Sequence, residues 1–412
     1  MRARTVNEVV NWLVVVLAFS IPLYRAWVSL STALILVLWF FQGDLAGRFA
    51  RVRRHGLTLA IVAFMALNLL SLLWSSHPAE GIEYWFKYRY LLLVPAIASS
   101  LDVKFTRYAF LALVSGTTLA ACMMPVVIFA DIHFHRTHPG NPSVTMSHLD
   151  FSMVLAVASL FVVVYLGHAA MLGRRWLGWV VVLVVLFAAL LVNIGRSGQL
   201  AFVGTLPVLL PVMLRQRPAW LRAALIAAAA GVIVASYLVV SPFKQRVDQA
   251  AAEIHDAVAE RRVDTNQGKR LAGMVVALEI VRDHPVLGTG IGDAMPEFRR
   301  VLATDHPQLV DAVGWFPHLH NQYLQVATEL GGVGLLSLGA VFGALFAGHY
   351  RSRTKQSAAV ALGCAYLLGF VGDPYLHKQL PLVLFALAAG VISADNEIFG
   401  ETSTEASSAT PS

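Results

Sequence analysis

The sequence predicts an all-α membrane protein that crosses the bilayer many times. Of its 412 residues, 57% are hydrophobic and only 13% are charged, and the mean hydropathy is +0.66. Soluble domains carry roughly twice that share of charged residues. Apolar runs of about 18 residues or more, long enough to cross a hydrocarbon core of ~30 Å, recur along the whole chain. The two cysteines, Cys122 and Cys364, lie inside such runs, so a disulfide-rich secreted domain is not expected.

Twelve apolar runs are predicted to span the membrane. The first run follows only the residues MRAR and lacks a small-residue cleavage site, so we expect it to be retained and not removed as a signal peptide. The predicted spans are residues 7–24, 27–42, 57–74, 84–101, 108–130, 149–167, 176–193, 199–214, 221–240, 322–349, 357–372 and 380–395.

The distribution of lysine and arginine predicts which ends of the spans face the cytoplasm. If the N-terminus is inside, the cytoplasmic segments hold sixteen of these residues, including the cluster RFARVRRH, whereas the short external segments hold six. Basic residues accumulate in short cytoplasmic loops. Both termini are therefore predicted to be cytoplasmic, and the net charge of +7 reflects this bias and not nucleic-acid binding.

The spans divide the chain into four predicted parts. Residues 1–240 carry the first nine spans, and residues 241–321 form an external helical insert. Residues 322–396 carry the last three spans. The polar tail, residues 397–412, is rich in small residues and is predicted to be disordered.

The insert is predicted to consist of helices that cover the outer mouth of the bundle. The stretch RVDQAAAEIHDAVAERRVD has apolar residues at helical spacing between charges, which is typical of an amphipathic helix at the membrane interface. In the next helix Asn266 is the expected N-cap. Its apolar stripe is predicted to consist of Leu271, Met274, Val275, Leu278 and Val281. The segment GTGIGD follows this helix and is predicted to be a flexible turn.

The stretch PHLHNQYLQVATELGGVG places His318, His320 and Asn321 at the external end of the tenth span. A neutral imidazole accepts a proton near pH 7, and a general base contributes about 10²- to 10⁴-fold to a rate. The structural alternative is an interfacial histidine that caps a helix or touches lipid headgroups. The glycines that follow predict close packing of helices.

Four basic residues are candidates for binding an anion. Arg196 in NIGRSGQL stands between two spans with almost no loop, where a guanidinium usually faces a partner or a wet cavity; the alternative is a snorkelling interface arginine. Arg270 begins an external helix, where a solvated face is the alternative. Lys87 and Arg89 lie among aromatic residues near the fourth span, where they either attract a lipid diphosphate or anchor the interface.

Two further external loops carry polar residues. The stretch HFHRTHPGN contains His133, His135 and His138, but no cysteine accompanies them and the spacing matches no zinc template, so no metal is predicted. His138 is kept as a candidate for substrate binding. The loop before the last span contributes a candidate edge of the site through Asp373, Pro374, His377 and Lys378.

These residues together resemble the bacterial O-antigen ligases, within the O-antigen ligase and polymerase superfamily. The signature of that family is His followed by Asn, Ser or Gln, then nine residues and Gly-x-x-Gly, which His320, Asn321, Gly331 and Gly334 match. GRSGQL is similar to the family's short arginine motif. An upstream arginine-led block is matched by Arg270, His284, Pro285, Gly288, Gly290 and Gly292.

The resemblance implies a glycosyltransferase of GT-C-like architecture in the bacterial inner membrane, with a periplasmic active site. The donor would be O-antigen on undecaprenyl diphosphate, and the acceptor would be a sugar hydroxyl of lipid A–core. Membrane lipids are the further partners, and no metal, cofactor or nucleic acid is implied. An O-antigen polymerase with a lipid-linked acceptor stays open as an alternative. A transporter or flippase of lipid-linked glycans is an alternative of another class, but the sequence shows no inverted repeat.

The resemblance and the chemistry of the side chains together give expected roles. Arg196 and Arg270 are expected to hold the diphosphate, because guanidinium groups match phosphate oxygens in two-pronged hydrogen bonds. His320 is expected to take the proton from the acceptor hydroxyl in a one-step, inverting displacement that needs no metal. The further substrate-binding candidates are Asn321, Lys87, Arg89, His318 and His138.

Overall fold

The protein is a bundle of helices with a helical insert. The computed structural model describes residues 2–134, 137–143, 145–168, 175–259, 263–350 and 352–394. Within these ranges the chain forms eighteen α-helices and short 3-10 turns, and no strand beyond isolated bridges. The helices are α1 (Arg2–Ser20), α2 (Arg25–Trp39), α3 (Leu45–Arg54), α4 (Gly56–Leu70), α5 (Pro78–Lys87), α6 (Leu93–Ser100), α7 (Val103–Phe129), α8 (His148–His168), α9 (Arg175–Val192), α10 (Arg196–Met213), α11 (Ala219–Val239), α12 (Ser241–Ala259), α13 (Asn266–Asp283), α14 (Ala294–Asp305), α15 (Val310–Val313), α16 (Gln322–Phe346), α17 (Arg353–Gly369) and α18 (Gln379–Ser393).

Each predicted span except the fourth overlaps one α-helix, although the third continues into a 3-10 turn over Ser71–Leu73 and the tenth is broken at Gly331. Residues 84–101 form the end of α5, a 3-10 segment over Tyr88–Leu92, and α6. Pro95 has no N–H to continue an α-helical ladder from this segment, which is consistent with the break. The predicted disordered tail lies outside the described residues.

Five helical segments are long and apolar enough to cross a membrane, judged by length and composition. Their outward faces carry large apolar side chains, such as Phe129 at 88% and Leu336 at 76% exposure. A surface of this kind suits contact with lipid. The five segments are Gly56–Leu73, Val103–Phe129, His148–His168, Ala219–Val239 and Gln322–Phe346. Twelve spans therefore stay a prediction, and a polytopic all-helical architecture is what the structure supports.

The insert has a core of its own, separate from the core of the bundle. Helices α13, α14 and α15 pack around buried residues that include Val276, Ile280, Phe298 and Phe316. Helix α13 begins after Thr265, whose hydroxyl accepts a hydrogen bond from the backbone N–H of Gly268. The expected N-cap, Asn266, is instead the first residue of the helix.

The apolar stripe predicted for α13 is not its buried face, although Leu271, Met274 and Val281 are half-buried. Val275 and Leu278 are 49% and 54% exposed. The buried face consists of Gly268, Ala272, Gly273, Val276, Ala277 and Ile280. Small residues allow aromatic rings to approach this face closely, since a Cβ atom on Gly273 would lie 3.0 Å from the Phe316 ring. The buried face of α13 is therefore the one that packs closely against the insert's own core, and not the one with the largest apolar side chains.

The segment GTGIGD is not a flexible turn, because it is joined to a break in α16. Four backbone hydrogen bonds of 2.8–3.2 Å connect residues 285–290 with residues 328–333. Gly331, at the break, has a φ of +61°, and Gly288 has a φ of +65°. A Cβ atom on either glycine would lie within 2.4 Å of backbone atoms in the other segment. The two glycine motifs thus form one joint, which fixes the insert to the helix that begins after His320.

Candidate active site

The three predicted catalytic residues line one cavity of about 370 Å³. Arg196 is the first residue of α10, Arg270 lies in the first turns of α13, and His320 immediately precedes the N-cap of α16. The cavity therefore forms where the bundle meets the insert. Its wall also includes His148, Leu149, Ile194, Ser197, Asn266, Gln267, Lys269, Trp315 and Phe316.

His320 adopts a backbone conformation that is uncommon for a residue with a side chain. Its φ is +52°, in the left-handed region. Neighbouring rings surround the imidazole, with the centre of Phe316 at 4.8 Å and that of His318 at 4.4 Å. A conformation of this kind costs about 1–3 kcal/mol and persists where surrounding contacts fix it, which is frequent at functional sites.

A buried carboxylate lies behind His320. Nδ1 of His320 is 3.6 Å from Oδ1 of Asp373, which is fully buried. Lys378 contacts the other oxygen of Asp373 and lies 3.6 Å from Asp150. Burial raises the pKa of Asp373, but interaction with His320 and the charge of Lys378 outweigh it, so the pKa lies below the usual value. Asp373 is thus an anion at neutral pH and favours a proton on the facing ring nitrogen.

His318 takes part in the same cluster as a neutral ring. Its Nδ1 accepts a hydrogen bond from the backbone N–H of His320 at 3.3 Å, which leaves Nε2 3.9 Å from Asp373. Burial lowers the pKa of His318 to about 3. The residue therefore supports the backbone of His320, and its Nε2 is directed towards the carboxylate.

The two histidines and Asp373 have the composition of a metal site. Their ligand atoms lie within 4.8 Å of one another. However, the ammonium group of Lys378 already contacts the carboxylate. A divalent cation there would be repelled by that charge. The cluster is therefore better suited to orienting an imidazole than to holding a metal ion.

Arg196 is held at the rim of the cavity by α12. Its guanidinium group donates hydrogen bonds to Gln249 at 3.1 Å and to Glu253 at 3.4 Å. The second glycine of GRSGQL lies against α8, because a Cβ atom on Gly198 would lie 2.2 Å from the Ser152 backbone oxygen. This close packing of α10 on α8 determines where the arginine emerges.

Arg270 links the insert to the loop that carries Asp373. Its Nη1 donates a hydrogen bond to the carbonyl oxygen of Gly372 at 3.1 Å. One guanidinium nitrogen is thereby engaged, and the group still lines the cavity. Lys269, next to it on α13, adds a second cation to the same wall.

Asn321 has a structural role. Its side-chain oxygen accepts a hydrogen bond from the backbone N–H of Leu324 at 3.0 Å and so caps α16. Its amide nitrogen donates to the carbonyl oxygen of Val371 at 3.3 Å. The oxygen thus starts the helix after His320, and the amide nitrogen holds that segment against the loop before Asp373.

The other substrate-binding candidates do not line the cavity. Lys87 lies over the Tyr84 ring at 4.2 Å from its centre. Arg89 stacks on two neighbouring aromatic rings at 4.2 and 4.4 Å. His138 is exposed and stacks on His133, while His135 of the same loop lies outside the described residues. The aromatic residues around these cations act as their binding partners.

The segments that line the cavity also match a known protein family. Residues 181–339 match the O-antigen ligase family. The match contains all three cavity residues of the predicted catalytic set and both glycine motifs. It confirms the resemblance to the O-antigen ligase superfamily.

Members of the O-antigen ligase superfamily are glycosyltransferase-like ligases and polymerases that act on glycans linked to lipids. The family and the apolar helices together indicate a multi-pass membrane protein. No curated protein gives a significant match to the chain. Asp373 and Lys378 lie beyond the matched region. Sequence reasoning placed these two only at an edge of the site, and charged residues between two apolar spans were the available signal.

Proposed function

We propose that this protein is an O-antigen ligase. It transfers a glycan from undecaprenyl diphosphate to a sugar hydroxyl of lipid A–core at the periplasmic face of the inner membrane. A bundle of twelve spans with GT-C-like architecture and cytoplasmic termini belongs to the same proposal. The observation that carries it is the single cavity shared by Arg196, Arg270 and His320.

The arginines are suited to the leaving group. Departure of a lipid diphosphate develops negative charge on phosphate oxygens, and guanidinium groups match these oxygens with paired, charge-assisted hydrogen bonds. Arg196 and Arg270 reach the cavity from α10 and α13, so they would grip the diphosphate from two sides. Lys269 adds charge to the same wall. Fixed cations in a site with little water stabilise a developing charge far more than cations in bulk water do.

His320 is suited to act as the general base. Its Nδ1 faces Asp373, so a proton on Nδ1 leaves the lone pair of Nε2 for the substrate. In the proposed step Nε2 takes the proton of the acceptor hydroxyl while the hydroxyl oxygen bonds to the anomeric carbon. The bond between that carbon and the diphosphate oxygen breaks with its electron pair, and the configuration inverts. Asp373 stabilises the imidazolium ion that results.

The proposed reaction needs no metal ion. The arginines supply the charge that stabilises the diphosphate, and Lys378 neutralises the buried carboxylate. We expect ligation to continue in excess chelator. Complete loss of activity that a divalent cation restores would contradict this part of the proposal and would point to the His318–His320–Asp373 cluster.

The test is ligation by the purified full chain, with undecaprenyl-diphosphate-linked glycan as donor and lipid A–core as acceptor. A ladder of retarded lipid A–core in electrophoresis, absent in His320→Ala, is the expected result. Lengthening of the lipid-linked glycan without modified core would identify a polymerase instead. If neither product forms, but the protein reconstituted in vesicles moves the lipid-linked glycan across the bilayer, the protein is a transporter and not a glycosyltransferase.

A further inference from the structure

A second cavity lies at the opposite end of the bundle from the candidate active site. It encloses about 270 Å³. Ser393, at the end of α18, lies on its wall, whereas Lys378 of the active-site loop immediately precedes the start of the same helix. The lining residues are Arg51, Val52, Arg54, His55, Thr58, Ala98, Ser99 and Ser393.

Among the described residues, the wall of this cavity carries positive charge and no carboxylate. Arg51 and Arg54 come from the last turns of α3, and His55 follows them. The carboxylate of Asp44 approaches Arg51 to 3.4 Å, but both side chains are more than half exposed. An exposed ion pair of this kind is weak. An anion that enters the cavity would therefore meet cations that the described residues neutralise only weakly.

Two buried hydroxyl groups on the same wall have no hydrogen-bond partner. Thr58 is 1% exposed and Ser393 is 8% exposed, and neither side-chain oxygen makes a hydrogen bond in the described part of the chain. Buried hydroxyls are usually satisfied, so each orphan group needs an explanation. Two unused donors beside two arginines suit a ligand with several acceptor oxygens.

Helix α3 has the features of a helix that lies at a membrane interface. Arg48 is buried and donates to the carbonyl oxygen of Trp39 at 2.5 Å, which fixes α3 against the end of α2. Aromatic side chains beside it point outward. Phe40, Phe41 and Phe49 are 57%, 66% and 45% exposed. Exposed aromatic rings next to arginines are typical of a helix that lies in the membrane interface.

We propose that this cavity binds the phosphate group of an anionic membrane phospholipid. The guanidinium groups of Arg51 and Arg54 hold the phosphate, and the hydroxyls of Thr58 and Ser393 donate to its oxygens. Basic pockets at the cytoplasmic side of membrane helices bind anionic headgroups in this way. The site is separate from the proposed ligase chemistry, and its test does not depend on that chemistry.

The test is binding of phosphatidylglycerol to the purified full chain, measured as a dissociation constant by native mass spectrometry. The double variant Arg51→Gln, Arg54→Gln is expected to bind about tenfold more weakly or worse, because two charged hydrogen bonds are lost. Arg53→Gln is the matched control, since Arg53 belongs to the same helix but does not line the cavity. Equal weakening in the control would show general surface attraction and would overturn the proposal.

The nearly isosteric substitution Thr58→Val gives a second test, which distinguishes a lipid ligand from a residue that only supports the fold. The hydroxyl has no partner among the described residues, so its removal should leave the lipid-free unfolding temperature unchanged or higher. Affinity for phosphatidylglycerol should nevertheless fall several-fold. An unchanged affinity would show that the hydroxyl is not a ligand, and the proposed geometry would be wrong.

Two further probes separate the sources of the phosphate. Zwitterionic phosphatidylcholine is expected to bind more weakly than phosphatidylglycerol, because its ammonium group offsets the phosphate charge. Inorganic phosphate is expected to compete poorly, because it has no acyl chains to anchor it in the interface. Equal binding of phosphatidylcholine, or competition by inorganic phosphate at the concentration of the lipid, would overturn the assignment to an anionic lipid.

Discussion

The two ends of the helical bundle each carry a cavity lined by arginines, but they differ in what stands behind the charge. In the candidate active site, both arginines are held by protein oxygens, and His320 has the anion Asp373 behind it. At the opposite end, Arg51 also contacts oxygens of Asp44 and Ser99, but unused hydroxyls stand beside the arginines. None of the carboxylates in the described part of the chain lines that wall. Arginines alone bind an anion. An imidazole supported by a carboxylate, as His320 is in the first cavity, adds the proton acceptor that the proposed group transfer requires.

The largest expected effect comes from removing the base. His320→Ala should lower the ligation rate by about 10²- to 10⁴-fold while the protein stays folded. His133→Ala is the matched control, because His133 is an exposed histidine outside the cavity. The rate of core modification measures activity, and thermal unfolding measures folding. Ligation near the wild-type rate in His320→Ala would show that His320 is not the base, and the proposed difference between the two cavities would be wrong.

Removal of a diphosphate ligand should have a smaller but still large effect. Arg270→Gln keeps a hydrogen-bond donor near Gly372 but removes the charge that faces the cavity. The loss of one preorganised donor for a developing anion costs about 10²- to 10³-fold in kcat. Arg53→Gln, at the other end of the bundle, is the control. Equal rates for the two variants would show that the leaving group is stabilised elsewhere.

The joint between the glycine motifs gives a third effect, on stability. Gly331→Ala forces a Cβ atom to within 2.3 Å of the Val286 backbone at a positive φ, and should lower the free energy of unfolding by about 1–3 kcal/mol. Gly339→Ala lies on the same helix with no heavy atom within 4 Å of the new Cβ. Thermal unfolding of both variants decides the point. A similar unfolding temperature for the two would mean that the joint contributes little.

The sequence predicts the helices of the bundle well, because each long apolar run must satisfy its backbone within itself in lipid. It predicts local packing less well. The buried face of α13 was mispredicted, since Gly273 and Ala277 are buried while the larger Val275 and Leu278 are exposed. Which face is buried depends on partners such as Phe316, which lies far along the chain.

The candidate site shows the same limit. Arg196, Arg270 and His320 each stand out in the sequence by motif and position, but their sharing of one cavity depends on how α10, α13 and α16 pack. Asp373 is more than fifty residues from His320, so its approach to 3.6 Å has no local signal. Lys87, a candidate for substrate binding by its charge and position, lies over the Tyr84 ring and does not line the cavity, so its role stays a prediction.

The last expected effect is a pH dependence of stability at the end of the bundle that carries the candidate active site. His377 lies in the loop between α17 and α18, and burial lowers its pKa from 6.5 to about 3. Between these values the unfolded chain binds more protons than the folded one, so stability falls as the pH drops through that window. The slope for one histidine is at most about 1.4 kcal/mol per pH unit.

The comparison of wild type with His377→Gln isolates this contribution from the parallel effect of His318. Glutamine retains a donor and an acceptor for the Tyr88 hydroxyl, which lies 2.9 Å from Nε2 of His377. The wild type should lose more stability than the variant between about pH 6.5 and about pH 4, and the two should run parallel above pH ~7. Parallel curves throughout would mean that His377 keeps its ordinary pKa in the folded protein. In that case the loop that carries Asp373 would be open to water. The buried carboxylate inferred behind His320 would then no longer distinguish this end of the bundle from the other.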